Sequence, residues 1–315
     1  MKNNSFFKLQ KMQKLFAVFV IFAVSLITIT NQNISFAEQN INHVTNPPYN
    51  ADVARETFNL LGIKKQHNNK NINSKYKYNN HLIVAISDLQ DRPYYYVENN
   101  SLLGADVELM KEIAKELNID LKWRIMPFFK LEKELNNNNV DLAISMISDN
   151  EERRQKFLLS HPYAETNARF VFKDNKTYQN FLHKKYHLLF TYAVYGTSYD
   201  DYLIQNGFSI RTCANKMECQ IAFINNEVNA GMEDSYVLKN FINQQKHNPN
   251  NKYAKNYVMS ENIFKERLVI VTQKQNTKLM DYINKALKKL DEEGILKEIS
   301  KKYFEKEDVY KYYEK

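Results

Sequence analysis

The chain has 315 residues, of which 43% are hydrophobic and 25% are charged, as is usual for globular proteins. Its formal net charge is +8, but four lysines lie before Glu38 in a segment without acidic residues, so the remainder carries +4 (8 − 4). This mild and dispersed charge argues against nucleic-acid binding, and the length allows one large or two medium domains.

The first 37 residues have the pattern of a cleavable secretory signal peptide. Basic residues end at Lys14, an apolar run covers residues 15–29, and Ser35 and Ala37 supply the small residues of a cleavage site. The run is shorter than the roughly 20 apolar residues that a membrane span needs, although an uncleaved anchor is the alternative. Because no cysteine lies near the cleavage site, we expect no lipid anchor and a soluble protein of the periplasm.

Residues 38–80 are rich in asparagine, glutamine and lysine, and we expect them to form a flexible extension. One helix-like patch lies at residues 51–61. The composition assigns no function to this segment.

From His81 onward, strand-like apolar runs alternate with helical patterns. In chain order, these elements are predicted at residues 82–86, 107–117, 119–125, 131–135 and 140–147. Such alternation predicts a parallel sheet with helices on its faces, in which ligands bind beyond the carboxyl ends of the strands. Asp88, Phe128, Ser145 and Ser148 all lie at such strand ends, so we expect them at one edge of the sheet.

A second α/β series is predicted after Tyr163. A strand at residues 167–173 leads out of the first lobe, and a strand at residues 268–272 crosses back to it. The elements predicted between and after them lie at residues 186–195, 199–205, 208–211, 216–225, 228–232 and 278–304. Two lobes joined by two crossing strands form a hinged cleft that can close around a ligand.

Cys213 and Cys219 are the only cysteines of the chain, and an exported pair is expected to be oxidised. Asn215 and Glu218 have the spacing of a capping box at the start of a helix, which places the two thiols on neighbouring turns. We therefore predict a disulfide. A metal or redox site is the alternative, which two cysteines without nearby histidines support poorly.

Residues 140–163 (VDLAISMISDNEERRQKFLLSHPY) combine a buried strand with small polar residues and a charged helical segment. That segment carries Arg153 and Arg154. An arginine fork donates two parallel hydrogen bonds to one carboxylate, so the stretch predicts a carboxylate pocket. The alternative is a strand, a turn and a solvated helix, in which both arginines are surface charges.

The same stretch resembles the signature of family 3 periplasmic solute-binding proteins, the polar amino-acid receptors of ABC importers. The matching positions are Val140, Asp141, Ser145, Ser148, Glu152, Arg153 and residues 159–163. Further matches, in register, lie at residues 104–106, 196–198, 228–235 and 291–304. The resemblance covers residues 81–304 and implies a type II periplasmic-binding-protein fold, with two α/β lobes joined by two crossing strands. It places lobe 1 at residues 81–172 and 266–315, and lobe 2 at residues 173–265.

The resemblance also implies a role for each candidate residue. Arg153, helped by Ser148, would bind the α-carboxylate of an amino acid, and Asp234 would accept a hydrogen bond from its α-ammonium group. The other implied ligand contacts are hydroxyl and backbone donors at a helix start and the walls of the pocket, namely Thr197, Ser198, Phe128, Ser145 and Tyr94. The alternatives are that Asp234, Thr197 and Ser198 only cap helices and that Arg153 is a surface charge.

Two departures from the family pattern bear on specificity. Asp91 stands where an aromatic residue is usual, and Met146 stands where a glycine or serine often donates a backbone N–H, an amide that Met146 retains. Asp88, Asp91 and Glu233 make the expected pocket acidic. We therefore expect a cationic amino acid such as lysine, arginine, ornithine or histidine.

These features predict a monomeric periplasmic binding protein, without metal or cofactor, that delivers an amino acid to an ABC-transporter permease in the inner membrane. One alternative is a periplasmic enzyme on the same fold that resembles cyclohexadienyl dehydratase, with His161 or Glu233 as general acid or base. Another alternative is a ligand-binding sensor for a membrane receptor.

Overall fold

The computed structural model describes residues 81–305 and 307–314. The predicted signal peptide, the extension at residues 38–80 and its helix-like patch lie outside the described residues. The elements are first β1 (His81–Ser87), β2 (Tyr96–Glu98), β3 (Ser101–Leu103), α1 (Ala105–Leu117), β4 (Asp120–Met126), α2 (Leu131–Asn136), β5 (Leu142–Ala143), α3 (Glu151–Lys156), β6 (Phe157–Leu159) and β7 (Ala164–Phe172). They continue with α4 (Asn175–Leu182), β8 (Phe190–Val194), α5 (Ser198–Gln205), β9 (Ser209–Cys213), α6 (Lys216–Ile224), β10 (Ala230–Asp234), α7 (Ser235–Lys246), β11 (Val258–Met259), β12 (Phe264–Leu268), β13 (Val271–Gln273), α8 (Thr277–Glu292) and α9 (Ile295–Tyr303). No helix in this described part of the chain is long and apolar enough to cross a membrane.

The first sheet has the strand order β4–β1–β5–β13–β6. Strand β1 runs parallel to β4 and β5, whereas β13 is antiparallel to β5 and β6. Helix α1 buries a stripe that includes Leu109, Met110 and Ile113, and it packs against α8 and α9. The predicted parallel sheet with helices on its face is therefore confirmed, and β13 adds an antiparallel strand from later in the chain.

The strand predicted at residues 140–147 is present as β5, but it covers only two residues, so the predicted bounds were wrong. Ser145 leaves the strand ladder, and its Oγ instead accepts a hydrogen bond from the Ser87 N–H at 3.0 Å. Met146 then adopts a φ of 50°, in the left-handed region, which turns the chain. The serines consequently lie in a loop at the carboxyl edge of the sheet.

The second sheet is built around β7, which pairs antiparallel with β10, β11 and β12. The parallel pair β8–β9 lies beside it, joined where the Asn229 N–H donates to Phe190 O at 2.9 Å. The predicted strands of the second series are thus present. Part of the apolar segment at residues 186–195 forms a 3₁₀ turn at Tyr186–Leu188 instead.

The chain passes between the two sheets twice. Residues 160–163 lead from β6 into β7, and residues 269–270 lead from β12 into β13. The strand predicted at residues 268–272 is therefore divided, because Leu268 pairs with β7 whereas Val271 pairs with β5 and β6. Two α/β lobes joined by two crossing strands are confirmed, and the proposed lobe boundaries after residue 172 and before residue 266 remain a prediction.

A C-terminal tail, residues 307–314, folds back over the first crossing. The Lys311 N–H donates to Tyr163 O at 2.9 Å, and the Glu165 N–H donates to Val309 O at 3.1 Å. The Tyr310 side chain is buried, and its hydroxyl donates to Asp106 Oδ1. The sequence pattern ended at Phe304 and did not predict this tail.

The predicted disulfide between Cys213 and Cys219 is present, with the two Cα atoms 5.6 Å apart. Asn215 caps α6, since its Oδ1 accepts from the Glu218 N–H at 2.9 Å. Glu218 Oε2 in turn accepts from the Ala214 N–H at 3.0 Å, one residue before the cap. The disulfide and these caps together hold the first turn of α6 in place.

We expect Gly104→Ala to lower the free energy of unfolding by about 3 kcal/mol. Gly104 has a φ of 121°, and a Cβ there would lie 2.2 Å from the backbone oxygen of Tyr94. Gly294→Ala is the matched control, because Gly294 has a φ of 78° but nothing within 4 Å of a Cβ, so its loss should be about 1 kcal/mol. Urea unfolding measures both, and equal losses would contradict the close contact at Gly104.

The double variant Cys213→Ser/Cys219→Ser should lose about 2 kcal/mol of unfolding free energy, because closing even a short loop restricts the unfolded chain. The sequence separation of the two cysteines is 6. Reductant should destabilise the wild type by the same amount and leave the double variant unchanged. A wild type whose urea midpoint does not respond to reductant would show that this bridge does not contribute.

Candidate functional site

A narrow cavity lies where the two lobes meet. One side comes from the loops that follow β1, β4 and β5, and the other from the turn after β8, the start of α5 and the end of β10. The predicted site residues that line it are Phe128, Ser145, Ser148, Arg153, Thr197, Ser198 and Glu233. The topology therefore brings together residues from both predicted series.

Arg153 is buried at the junction between the lobes. Helix α3 positions it, because Asn150 caps the helix and its Oδ1 accepts from the Arg153 N–H at 2.9 Å. The Arg153 Nη1 donates to Ser148 O at 2.9 Å, and its Nη2 donates to Gly196 O of the other lobe at 3.3 Å. Its guanidinium carbon lies 5.9 Å from the centroid of the Phe128 ring.

Arg154 has a different environment. Its side chain is half exposed and donates to both carboxylate oxygens of Asp149, at 2.7 and 2.8 Å. Arg154 does not line the cavity, so the two arginines of the predicted carboxylate pocket are not equivalent.

Ser148 and Ser198 come from opposite lobes and donate to the same carboxylate oxygen, Oε1 of Glu266. The Ser148 Oγ–Oε1 distance is 2.6 Å. Glu266 is buried, its Oε2 has no hydrogen-bond partner among the described residues, and its charge opposes the lowering of the Arg153 pKa that burial causes. The two serine hydroxyls thus bind a carboxylate of the protein itself, and the positive charge of the Arg153 guanidinium lies near it.

Sequence reasoning missed Glu266, although the pattern of β12 carries a signal for it. In the strand FKERL, alternate residues face inward, and Glu266 shares the inward face with Phe264 and Leu268. A charged residue between two apolar residues on one strand face indicates a buried charge that needs partners.

Thr197 caps helix α5 at the rim of the cavity. Its Oγ1 accepts from the Asp200 N–H at 3.3 Å and donates to Val194 O at 2.7 Å. The helix cap that is the alternative role for Thr197 is therefore present. A capped helix start still directs unpaired backbone N–H groups and a positive dipole end toward an anion.

Asp234 and Tyr94 lie behind the cavity wall and are fully buried. Asp234 Oδ1 caps α7 by accepting from the N–H groups of Tyr236 at 2.8 Å and Val237 at 3.0 Å. Its Oδ2 accepts from the Thr166 hydroxyl and from the Tyr94 hydroxyl, the latter at 3.3 Å. Burial raises the pKa of Asp234 to about 6. Both carboxylate oxygens thus have internal partners, as the capping alternative implies, and contact of either residue with a ligand remains a prediction.

Two further candidates lie away from the cavity. Asp88 is exposed at the end of β1 and does not line the cavity. His161, considered as a general acid or base, stacks on Tyr312 of the C-terminal tail with its Nδ1 2.9 Å from the tyrosine hydroxyl. The backbone N–H of His161 donates to Asn284 Oδ1 at 2.8 Å. This position gives no support to a catalytic role for His161.

The Met146 amide is engaged within the protein rather than left available for a ligand. The Met146 N–H donates to Asp106 Oδ2 at 3.1 Å, and Asp106 Oδ1 accepts from the hydroxyls of Tyr163, at 2.9 Å, and Tyr310. Burial raises the pKa of Asp106 to about 6 in spite of these hydrogen bonds. In this conformation, the amide that Met146 retains is therefore bound by Asp106.

Asp91 and Glu233 are buried on the cavity wall, and a third charged residue, Lys216, lies between them. The Lys216 Nζ contacts Asp91 Oδ1 and lies 3.1 Å from Glu233 Oε2. Asp91 Oδ2 accepts from the Tyr95 hydroxyl at 2.6 Å. Burial lowers the pKa of Lys216, and the charge of Glu233 opposes that change.

Sequence reasoning also missed Lys216, although its position on α6 is unusual. Lys216 is the first residue of the helix, directly after its cap Asn215. A cation is unfavourable at that end of a helix dipole. A lysine there indicates that carboxylates from elsewhere in the fold compensate for its charge.

Residues 82–306 match the family described as bacterial extracellular solute-binding proteins, family 3, and the chain belongs to this family. A probable amino-acid-binding protein of Bacillus subtilis, YxeM, is 26% identical over 246 residues, which cover 76% of this chain and 89% of that protein. An arginine-binding periplasmic protein of Mannheimia haemolytica is 27% identical over 209 residues, covering 65% and 84% respectively.

The fold also resembles solved structures of such proteins. An ABC uptake transporter substrate-binding protein from Streptococcus pneumoniae with bound histidine superimposes with a TM-score of 0.66 at 22% identity. The match covers 75% of this chain and 97% of that one. This likeness confirms the predicted type II periplasmic-binding-protein fold.

Between pH 4 and pH 6, Asp106→Asn should make the free energy of unfolding less dependent on pH. The Asp106 pKa of about 6 in the folded protein lies above its ordinary value of 3.8, so folding is favoured below pH 4 and this contribution is lost as pH rises through 6. We expect the wild type to lose on the order of 1–3 kcal/mol more than the variant over this range. Urea unfolding at several pH values measures the difference.

The control for that comparison is Asp281→Asn, since the Asp281 carboxylate is 57% exposed and pairs with Lys285 on the surface of α8. Its pH dependence should match that of the wild type. Identical slopes for the wild type and Asp106→Asn would contradict a raised pKa at Asp106.

Proposed function

We propose that this protein captures an amino acid, preferably a cationic one, between its lobes and delivers it to an ABC-transporter permease. The observation that carries the proposal is the division of charge within one cavity. Arg153, Ser148 and Ser198 bring donors to one part of the lining, where the two serine hydroxyls bind Glu266 in this conformation, while Asp91 and Glu233 bring two carboxylates to another part. This arrangement suits a ligand with one anionic and one or two cationic groups.

Burial makes this complementarity necessary. A ligand that closes between the lobes loses its hydration, so each of its charges needs a partner of opposite sign or a set of hydrogen bonds. For the carboxylate, the donors are the Arg153 guanidinium, the serine hydroxyls and the start of α5. For the ammonium or guanidinium group, the acceptors are Glu233 and Asp91.

The relatives support the same ligand class. Among proteins similar to this chain, one is a probable amino-acid-binding protein and another is an arginine-binding periplasmic protein. Export to the periplasm, a monomeric state and a permease partner in the inner membrane complete the proposal. A sensor for a membrane receptor would use the same cavity and differ only in that partner.

A thermal-shift screen of the purified mature protein against the amino acids tests the ligand class. A ligand at hundredfold excess over its Kd stabilises the folded state by about 3 kcal/mol, which should raise Tm by roughly 6–10 °C. We expect arginine, lysine, ornithine or histidine to give such a shift. Shifts with glutamate or leucine alone would contradict the cationic preference.

Arg153→Ala should abolish the ligand-induced shift, because the ligand carboxylate loses the charged partner that compensates for its burial. Arg154→Ala is the matched control, since Arg154 is adjacent in sequence but pairs with Asp149 outside the cavity, and it should keep the shift. Circular dichroism would verify that both variants fold. A retained shift in Arg153→Ala would show that the carboxylate binds elsewhere.

A further inference from the structure

We propose that Lys216 determines specificity by pairing with the two carboxylates of the cavity wall, Asp91 and Glu233, and so competing for them with the cationic group of the ligand. The inference rests on the proposed amino-acid-binding function. It adds a residue of this chain that acts against a cationic ligand rather than for it.

Lys216 is held firmly at its backbone and reaches across the cleft with its side chain. It begins α6, where the Cys213–Cys219 disulfide and the Asn215 cap define the first turn. Its side chain is only 6% exposed and crosses to Asp91 in the loop after β1 of the other lobe. The ammonium group therefore reaches the two carboxylates of the cavity wall from a helix start that the disulfide and the cap fix in place.

The contacts of Lys216 use the carboxylates that a ligand cation needs. Its Nζ contacts Asp91 Oδ1 and lies 3.1 Å from Glu233 Oε2. The second oxygen of Asp91 already accepts from the Tyr95 hydroxyl at 2.6 Å. In this conformation, Asp91 thus has both of its carboxylate oxygens engaged by the protein itself.

The charge balance makes the competition specific for cations. In their ionised forms, Asp91 and Glu233 contribute two negative charges and Lys216 one positive charge, so this part of the cavity wall carries a net charge of −1. A second cation that approaches the two carboxylates meets a like charge at short range. An uncharged side chain does not meet this repulsion.

A purely structural role for Lys216 makes a different prediction. If Lys216 only linked the two lobes, its removal would weaken the closed form and reduce affinity for every ligand alike. Competition instead predicts that affinity rises for cationic ligands alone. The ratio of two affinities therefore separates these roles, because a change in stability affects both ligands.

The test is isothermal titration of L-arginine and L-glutamine into the wild type and Lys216→Met, which keeps a long unbranched side chain and removes its charge. The ratio of the glutamine Kd to the arginine Kd should rise about tenfold in the variant, as expected for one charge repulsion removed. Lys216→Gln is the second variant, for use if Lys216→Met does not fold. It should raise the same ratio of Kd values.

The control is Lys173→Met, which also removes a lysine that is largely buried. Lys173 Nζ donates to Ile224 O at 3.2 Å and lies over the rings of Phe223 and Tyr257, away from the cavity. Its ratio should equal that of the wild type. An unchanged or lower ratio in the Lys216 variants would overturn the inference while leaving amino-acid binding intact. A wild type that binds no amino acid at all would overturn both proposals.

Discussion

The carboxylate of Glu266 enters the space between the lobes, and much of the surrounding structure depends on how that buried charge is satisfied. It comes from β12, the strand that leads back to the first sheet, and it accepts from one serine of each lobe. Arg153 lies beside this group and reaches Gly196 of the second lobe. A buried charge is unfavourable unless it is hydrogen-bonded. The Glu266 carboxylate therefore needs the hydroxyls of Ser148 and Ser198, and these two hydrogen bonds link the lobes.

A second set of buried charges has the opposite composition. Around Glu266, one carboxylate meets several neutral or cationic donors, whereas around Lys216 one cation meets two carboxylates. With all of these groups ionised, the charge of Arg153 offsets that of Glu266 in the first set. In the second set, Lys216 offsets only one of the two carboxylate charges. The two sets therefore differ in net charge, although each joins residues of both lobes.

Local patterns predicted the parts of the fold that depend on neighbouring residues. The stripe of α1, the strands β1 and β4 and the cap of α6 follow from spacing along the chain. Arg153 was identified because its sequence context resembles a known signature. By contrast, Glu266 and Lys216 acquire their roles from partners far away in sequence, such as Asp91 for Lys216. The early end of β5 likewise depends on Ser87 and Asp106, which no local pattern of residues 140–147 contains.

The C-terminal tail has a mechanical consequence for opening and closing. Its backbone pairs with residues 162–165, while Tyr310 is tied to Asp106 of α1. These hydrogen bonds fix the start of β7 to the first lobe, so residues 162–165 are restrained from bending on their own. A rotation of the second lobe would then have to bend this strand beyond Glu165. The bend would begin near Thr166, which contacts Asp234 and Tyr94.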